Sequence, residues 1–205
     1  MAVSLHRLTG LALLLFIASH LAVHLVALHS PEAHGAALAV VRKAYRPMLV
    51  EPLLIAAFAV QIGIGLRLAW GRWRAGVGGA MARWQLASGL YLALFLVNHV
   101  GAALATRYAF GLDTNFHWAA ATLLHPVTRW TFYPYYAAAV MALFVHLAAA
   151  LHFHGSSLAV VRLVVTGGMM VTAAILLAFG GWLYPLALPP ANRAYLDGLL
   201  AMFGL

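Results

Sequence analysis

Long apolar runs dominate this chain. Between Leu5 and Leu183 five stretches of about twenty residues pass with hardly a charge inside them. A hydrocarbon bilayer is spanned by a helix of about 20 apolar residues, so runs of this length and number point to a membrane solvent. The whole chain carries only four acidic residues, Glu32, Glu51, Asp113 and Asp197, and 8% charged residues. Soluble domains carry about 25%. A water-facing surface cannot be assembled from so few charges. The expectation is an all-α membrane protein, a bundle of five transmembrane helices in a single transmembrane domain over residues 1–205.

The spans are placed at about 5–28, 47–70, 82–105, 131–151 and 158–183. A polar loop from His29 to Gly35 follows the first span. A short amphipathic stretch, 36–45, lies at the surface. Pro47 and Pro52 suit the first turns of span two. The Gly- and Arg-rich segment 71–81 lies outside the lipid, and the longer loop 106–130 has room for an interfacial helix. The tail beyond span five, with Pro185, Pro189 and Pro190, ends in a short amphipathic stretch. The first run is longer than the apolar core of a signal peptide and contains His20 and His24, so it reads as a retained helix.

The net charge of +8 does not point to nucleic acid, because the basic residues cap apolar runs instead of sharing one face. Arginines at helix ends and interfacial tryptophans are what a bilayer requires. The absence of cysteine removes thiolate metal sites, iron–sulfur clusters and disulfides from this chain. With five spans, Arg7, Arg67, Arg72, Arg74, Arg83 and Arg162 fall on the N-terminal side, and Arg42, Lys43, Arg46, Arg107, Arg129 and Arg193 on the other. The totals tie. The loop between spans two and three is the densest basic cluster and favours a cytoplasmic N-terminal side. The lack of an inverted repeat and the near absence of intramembrane acids argue against a transporter.

Two spans repeat one another. Span one reads Thr9-Gly10, then Phe16, then Ser19-His20. Span three reads Ser88-Gly89, then Phe95, then Asn98-His99. Leu and Ala are common throughout the chain, but matched Gly, Phe and His positions are hard to obtain by chance. The two spans run in the same direction. His20 lies about fifteen residues after Leu5 and His99 about fifteen after Trp84, roughly 22 Å from the same face at 1.5 Å per residue. Two imidazoles at one depth on parallel helices can ligate a flat porphyrin from both sides, which holds a low-spin heme that moves electrons. A lone histidine in a membrane helix is as readily an interhelical hydrogen-bonding residue; the matched pair is what favours the ligand reading.

The remaining histidines divide by position. His24 lies one turn beyond His20 on the same face, and is open to serving a propionate or to replacing His20 as ligand. His146, on span four, sits at a different level, where span two offers Gln61 and no histidine. Three roles stand open for it: a hydrogen bond to Gln61, the lining of a quinone pocket, or ligation of a heme with an unusual partner. His29, His34, His117, His125, His152 and His154 read as loop or helix-end residues, solvated and without a specific role. Arg7 and Arg83 read as lipid-headgroup anchors or as partners for propionates or a soluble subunit.

These features together resemble the membrane anchor, or cytochrome b, subunit of the succinate:quinone oxidoreductases and quinol:fumarate reductases, in its single-chain five-helix form. The stretch 9–20 is similar to that family's first helix and 85–99 to its third. The resemblance implies His20 and His99 as axial ligands of the distal heme b, and it makes His146 the counterpart of the helix-four ligand. It makes Gln61, with Gly65 four residues on, stand where the family has a histidine and a glycine, so one heme is expected. His6-Arg7-Leu8-Thr9-Gly10 is similar to a signature of the related small anchors, in which the arginine borders the quinone pocket; this implies a role for Arg7. The resemblance further implies an iron–sulfur subunit and a flavoprotein subunit docked on the N-terminal side, a membrane quinone as redox partner, and the bacterial cytoplasmic membrane as location. A stand-alone membrane b-type cytochrome, or a heme-free anchor of the same fold, is the alternative.

Overall fold

A computed structural model describes residues 2–202 and 204. Its described residues are 81% helical and include no strand. The eight helices are α1 (Ala2–Val26), α2 (Pro31–Tyr45), α3 (Val50–Arg74), α4 (Ala80–Tyr108), α5 (Phe116–Leu124), α6 (Arg129–Phe153), α7 (Leu158–Phe179) and α8 (Pro190–Met202). Five of them, α1, α3, α4, α6 and α7, are long and apolar enough to cross a membrane. The side chains they turn outward are apolar, among them Leu8, Leu11, Leu15, Leu53, Leu163 and Met170, as lipid contact requires.

Local chemistry moves the element ends from where the sequence suggested. The second long helix starts at Val50, because Arg46 to Leu49 form a turn whose carbonyl at Pro47 accepts from the Val50 and Glu51 amides. The fifth ends at Phe179. Gly181 takes the left-handed conformation (φ 73°), and the Tyr133 hydroxyl occupies the space a side chain at Gly180 would need. The surface stretch after span one is longer than expected. Ser30 caps it, its hydroxyl accepting from the Ala33 amide at 3.1 Å, and Pro31 opens the first turn. That cap places His34 inside a helix.

The spanning helices close a ring in which α1 packs on α3, α3 on α4, α4 on α6, α6 on α7 and α7 back on α1. Among the described residues α1 and α4 do not pack on each other, nor do α3 and α6. The ring therefore surrounds open space, a cavity of about 930 Å³ running from Arg7 and Arg72 at one end to Arg46 and Arg107 at the other. Its far end is roofed by α2 and α5. There Ala27, Phe116, Ala120, Leu123, Ala178 and Phe179 form a closely packed apolar plug. At the same end Glu51 and Arg107 form an ion pair with side chains only 14% and 17% exposed.

Candidate functional site: a histidine-lined cavity inside the bundle

The cavity has two polar levels separated by apolar wall. The level nearer α2 and α5 holds His20 and His99. Their ring centroids stand 6.0 Å apart, at 66° to each other, across the gap between α1 and α4. The repeat explains their posture. Phe16 lies one turn before His20 and Phe95 one turn before His99; each phenylalanine stacks on its histidine with an interplanar angle of 14°. Side chains four apart on a helix meet in this way. Ser19 donates to the Phe16 carbonyl and Asn98 to the Leu94 carbonyl, so both polar residues of the repeat are satisfied within their own helices. Trp118 of α5 adds an aromatic wall, 6.0 Å from His99.

His24 and His34 extend this level. His24 Nε2 is hydrogen-bonded to His20 Nε2 at 3.1 Å, and His24 Nδ1 to His34 Nε2 at 3.2 Å. His34 is 1% exposed, packed edge-on to Phe116 and Phe179. This corrects its reading as a solvated loop residue. Burial, with the charges of Arg42 and His117 nearby, lowers its pKa from the usual 6.5 to about 4, so it is neutral near pH 7. The Ser30-Pro31 cap signal was present in the sequence and would have put His34 inside a helix; its burial comes from the tertiary contacts.

The second level lies toward the N-terminal side and continues the repeat. Gln61 of α3 sits over Gly10 of α1, and a Cβ there would come within 3.0 Å of its amide nitrogen. Likewise His146 of α6 sits over Gly89 of α4, where a Cβ would meet its Cε1 at 3.0 Å. Thr9 contacts the Gln61 amide at 2.5 Å, and Ser88 Oγ lies 3.2 Å from His146 Nδ1. Hydroxyl, glycine and opposing polar side chain thus recur as Thr9–Gly10–Gln61 and Ser88–Gly89–His146. His146 does not need Gln61 as a partner: its Nδ1 lies 3.2 Å from the Gln85 carbonyl. A carbonyl only accepts, so Nδ1 carries the proton and Nε2 presents a lone pair. Gln61 instead contacts His6, 3.4 Å from its amide nitrogen. His6 lines the cavity, a position its place in the small-anchor signature did not specify. Arg7 lines the same end.

The far mouth is cationic. Arg46 and Arg107 line it with Glu51, Thr114 and Asn115. Arg42 pairs with Asp113 at 2.9 Å, and Arg46 donates to Thr114 Oγ1 at 3.2 Å. Three guanidinium groups, Arg42, Arg46 and Arg107, against two carboxylates, Asp113 and Glu51, leave a positive excess that suits an anionic group entering from the cavity.

What these residues can hold follows from their geometry. Among the described residues no three or more His, Asp or Glu side chains are grouped to hold a bare metal ion. His20, His24 and His34 bond in a line. His20 and His99, by contrast, oppose each other across open space. An iron bound by two imidazole nitrogens at about 2 Å each sets the ring centroids roughly 6 Å apart. The spacing, the apolar walls and the cationic mouth fit a flat, mainly apolar metal macrocycle with acidic substituents. Neither the protein-family models, nor the curated proteins, nor the solved structures contain a match to this chain.

Proposed function

We propose that this chain is the membrane anchor subunit of a succinate dehydrogenase/fumarate reductase-type complex, which passes electrons between soluble iron–sulfur and flavin subunits and membrane quinone through one heme b. The observation that carries the reading is the His20–His99 pair, opposed at 6.0 Å across a cavity and each stacked on the phenylalanine of the same repeat. Bis-imidazole heme b supplies one-electron transfer at low-spin iron.

The chain's own residues have separate tasks. His20 and His99 would hold the heme, each through one ring nitrogen. Phe16 and Phe95 fix their ring planes, which limits the reorientation that ligation needs. Arg46 and Arg107 meet acidic substituents at the far mouth. The apolar walls between the levels exclude water. The N-terminal level, with His6, Arg7, Gln61 and His146, faces the side on which the soluble subunits would dock, and its polar groups suit the headgroup of a lipid-soluble quinone.

The test is a reduced-minus-oxidised spectrum and a pyridine hemochromogen assay on the purified chain. One b-type heme per chain is expected, lost in His99→Ala. A chain that binds no heme when supplied with it refutes the cytochrome reading and leaves a heme-free anchor. Two hemes per chain refute the single-heme count. Affinity purification from native membranes separates the anchor from a stand-alone cytochrome: a flavoprotein and an iron–sulfur protein should co-purify in equal amounts with the chain.

A further inference from the structure

His20 and His24 lie one turn apart on α1. A helical turn rises about 5.4 Å, yet the two Nε2 atoms are only 3.1 Å apart. The side chains therefore lean toward one another and deliver their outer nitrogens to nearly one point. A residue that merely orients a metal-binding histidine grips the nitrogen the metal does not use. His24 does otherwise. It bonds to Nε2 of His20 at 3.1 Å, so the outer nitrogens of the two rings meet beside the cavity that both residues line.

The protons of the chain of three rings can be assigned. Each neutral imidazole has one N–H and one lone pair. His34 Nε2 bonds to His24 Nδ1 at 3.2 Å, and His34 Nδ1 is buried without a partner. Two arrangements satisfy both bonds. In the first, His34 donates to His24, His24 donates to His20, and His20 Nε2 is the lone pair. In the second every proton moves one place, so that His24 Nε2 is the lone pair and His34 keeps an N–H with nothing to receive it. Orphaned buried N–H groups are the rarer kind, so the first is the resting form. The second needs, besides the two shifts along these bonds, a proton gained at His34 Nδ1 and one lost from His20 Nδ1.

From this convergence, and resting on the heme reading above, we propose that α1 carries two interchangeable axial ligands: His20 holds the iron opposite His99, and His24 is a reserve ligand that takes the same position when His20 is removed or detached. The two cannot bind together, because a macrocycle fills the other four positions around its iron and His99 takes the sixth. The reserve costs the site little, since His24 already lines the cavity and already reaches the outer nitrogen of His20.

The experiment compares His20→Ala, His24→Ala and the double variant, each purified in detergent and supplied with heme. His20→Ala should keep a low-spin, bis-imidazole spectrum with a shifted midpoint potential and about tenfold weaker heme binding. The double variant should be high-spin, and added free imidazole should restore its low-spin spectrum. A His20→Ala protein that is high-spin until free imidazole is added would overturn the proposal, since rescue proves that the cavity is intact and that His24 does not reach. If His20→Ala does not fold, low-temperature electron paramagnetic resonance of the wild-type protein decides. Two low-spin signals that collapse to one in His24→Ala support the reserve ligand; one signal unchanged in that variant excludes it. A wild-type chain with no b-type spectrum refutes the heme reading itself, a result distinct from all of these.

Discussion

His34 shows how far burial can change one residue's role. A histidine in a polar loop titrates near 6.5, whereas here enclosure by Phe116 and Phe179, with Arg42 and His117 nearby, lowers it to about 4. Its folded pKa is below its unfolded one, so the unfolded chain binds the extra proton first. The contribution to stability is therefore full above about pH 6.5 and is lost as pH falls from there toward 4. Thermal unfolding in detergent should show this acid-side decline, and His34→Gln should flatten it while leaving the heme spectrum in place. An unchanged pH profile in the variant would show that His34 is not the group responsible. The Glu51–Arg107 pair is a second case at this scale. Both side chains are largely buried, and Arg107→Ala leaves a carboxylate without its partner. We expect a loss of about 3 kcal/mol, read as a lower unfolding temperature, with Glu51→Gln milder because the amide oxygen still accepts a hydrogen bond from the guanidinium.

The helices are shaped by what their small residues permit. Gly168 on α7 lies against Phe144 of α6: a Cβ there would fall 2.5 Å from the Phe144 Cβ. That atom sits at the root of its side chain and cannot swing away. Gly168→Ala should thus force α6 and α7 apart and cost about 1–3 kcal/mol, measured as a drop in unfolding temperature. Gly167, its neighbour, has nothing within 4 Å, and Gly167→Ala should be close to neutral. Equal effects at both positions would contradict the packing described here. The sequence alone cannot say which of the two adjacent glycines touches a neighbour. A glycine's contacts depend on the rotation of the whole helix, which the apolar filler around it does not fix.

Over the whole molecule, the odd number of spans puts the start of α1 and the end of α7 on opposite faces of the bilayer. The charge count cannot orient them, because it ties. The chain has no cysteine, so single cysteines report cleanly. Gly78→Cys and Ser156→Cys should react with an impermeant maleimide from one side, and Leu112→Cys from the other. Labelling of all three from the same side would disprove the five-span topology.

The five spans, their direction and the Phe–His repeat were legible in the sequence alone, because lipid demands long apolar helices and because a repeated spacing on parallel helices survives any packing. The ends of α3 and α7 were not legible there, since caps and a glycine break decide ends and these act over one or two residues. What only the tertiary structure decided is which helices are neighbours and which face each other across open space. The closed ring with α1 and α4 held apart turns two matched histidines into an opposed pair; it pairs Gln61 with Gly10 and His146 with Gly89; and it folds α2 back so that His34 meets His24. Contacts of this kind join residues far apart in the chain, and in a bundle whose outer surface is apolar all round no pattern along one helix announces them.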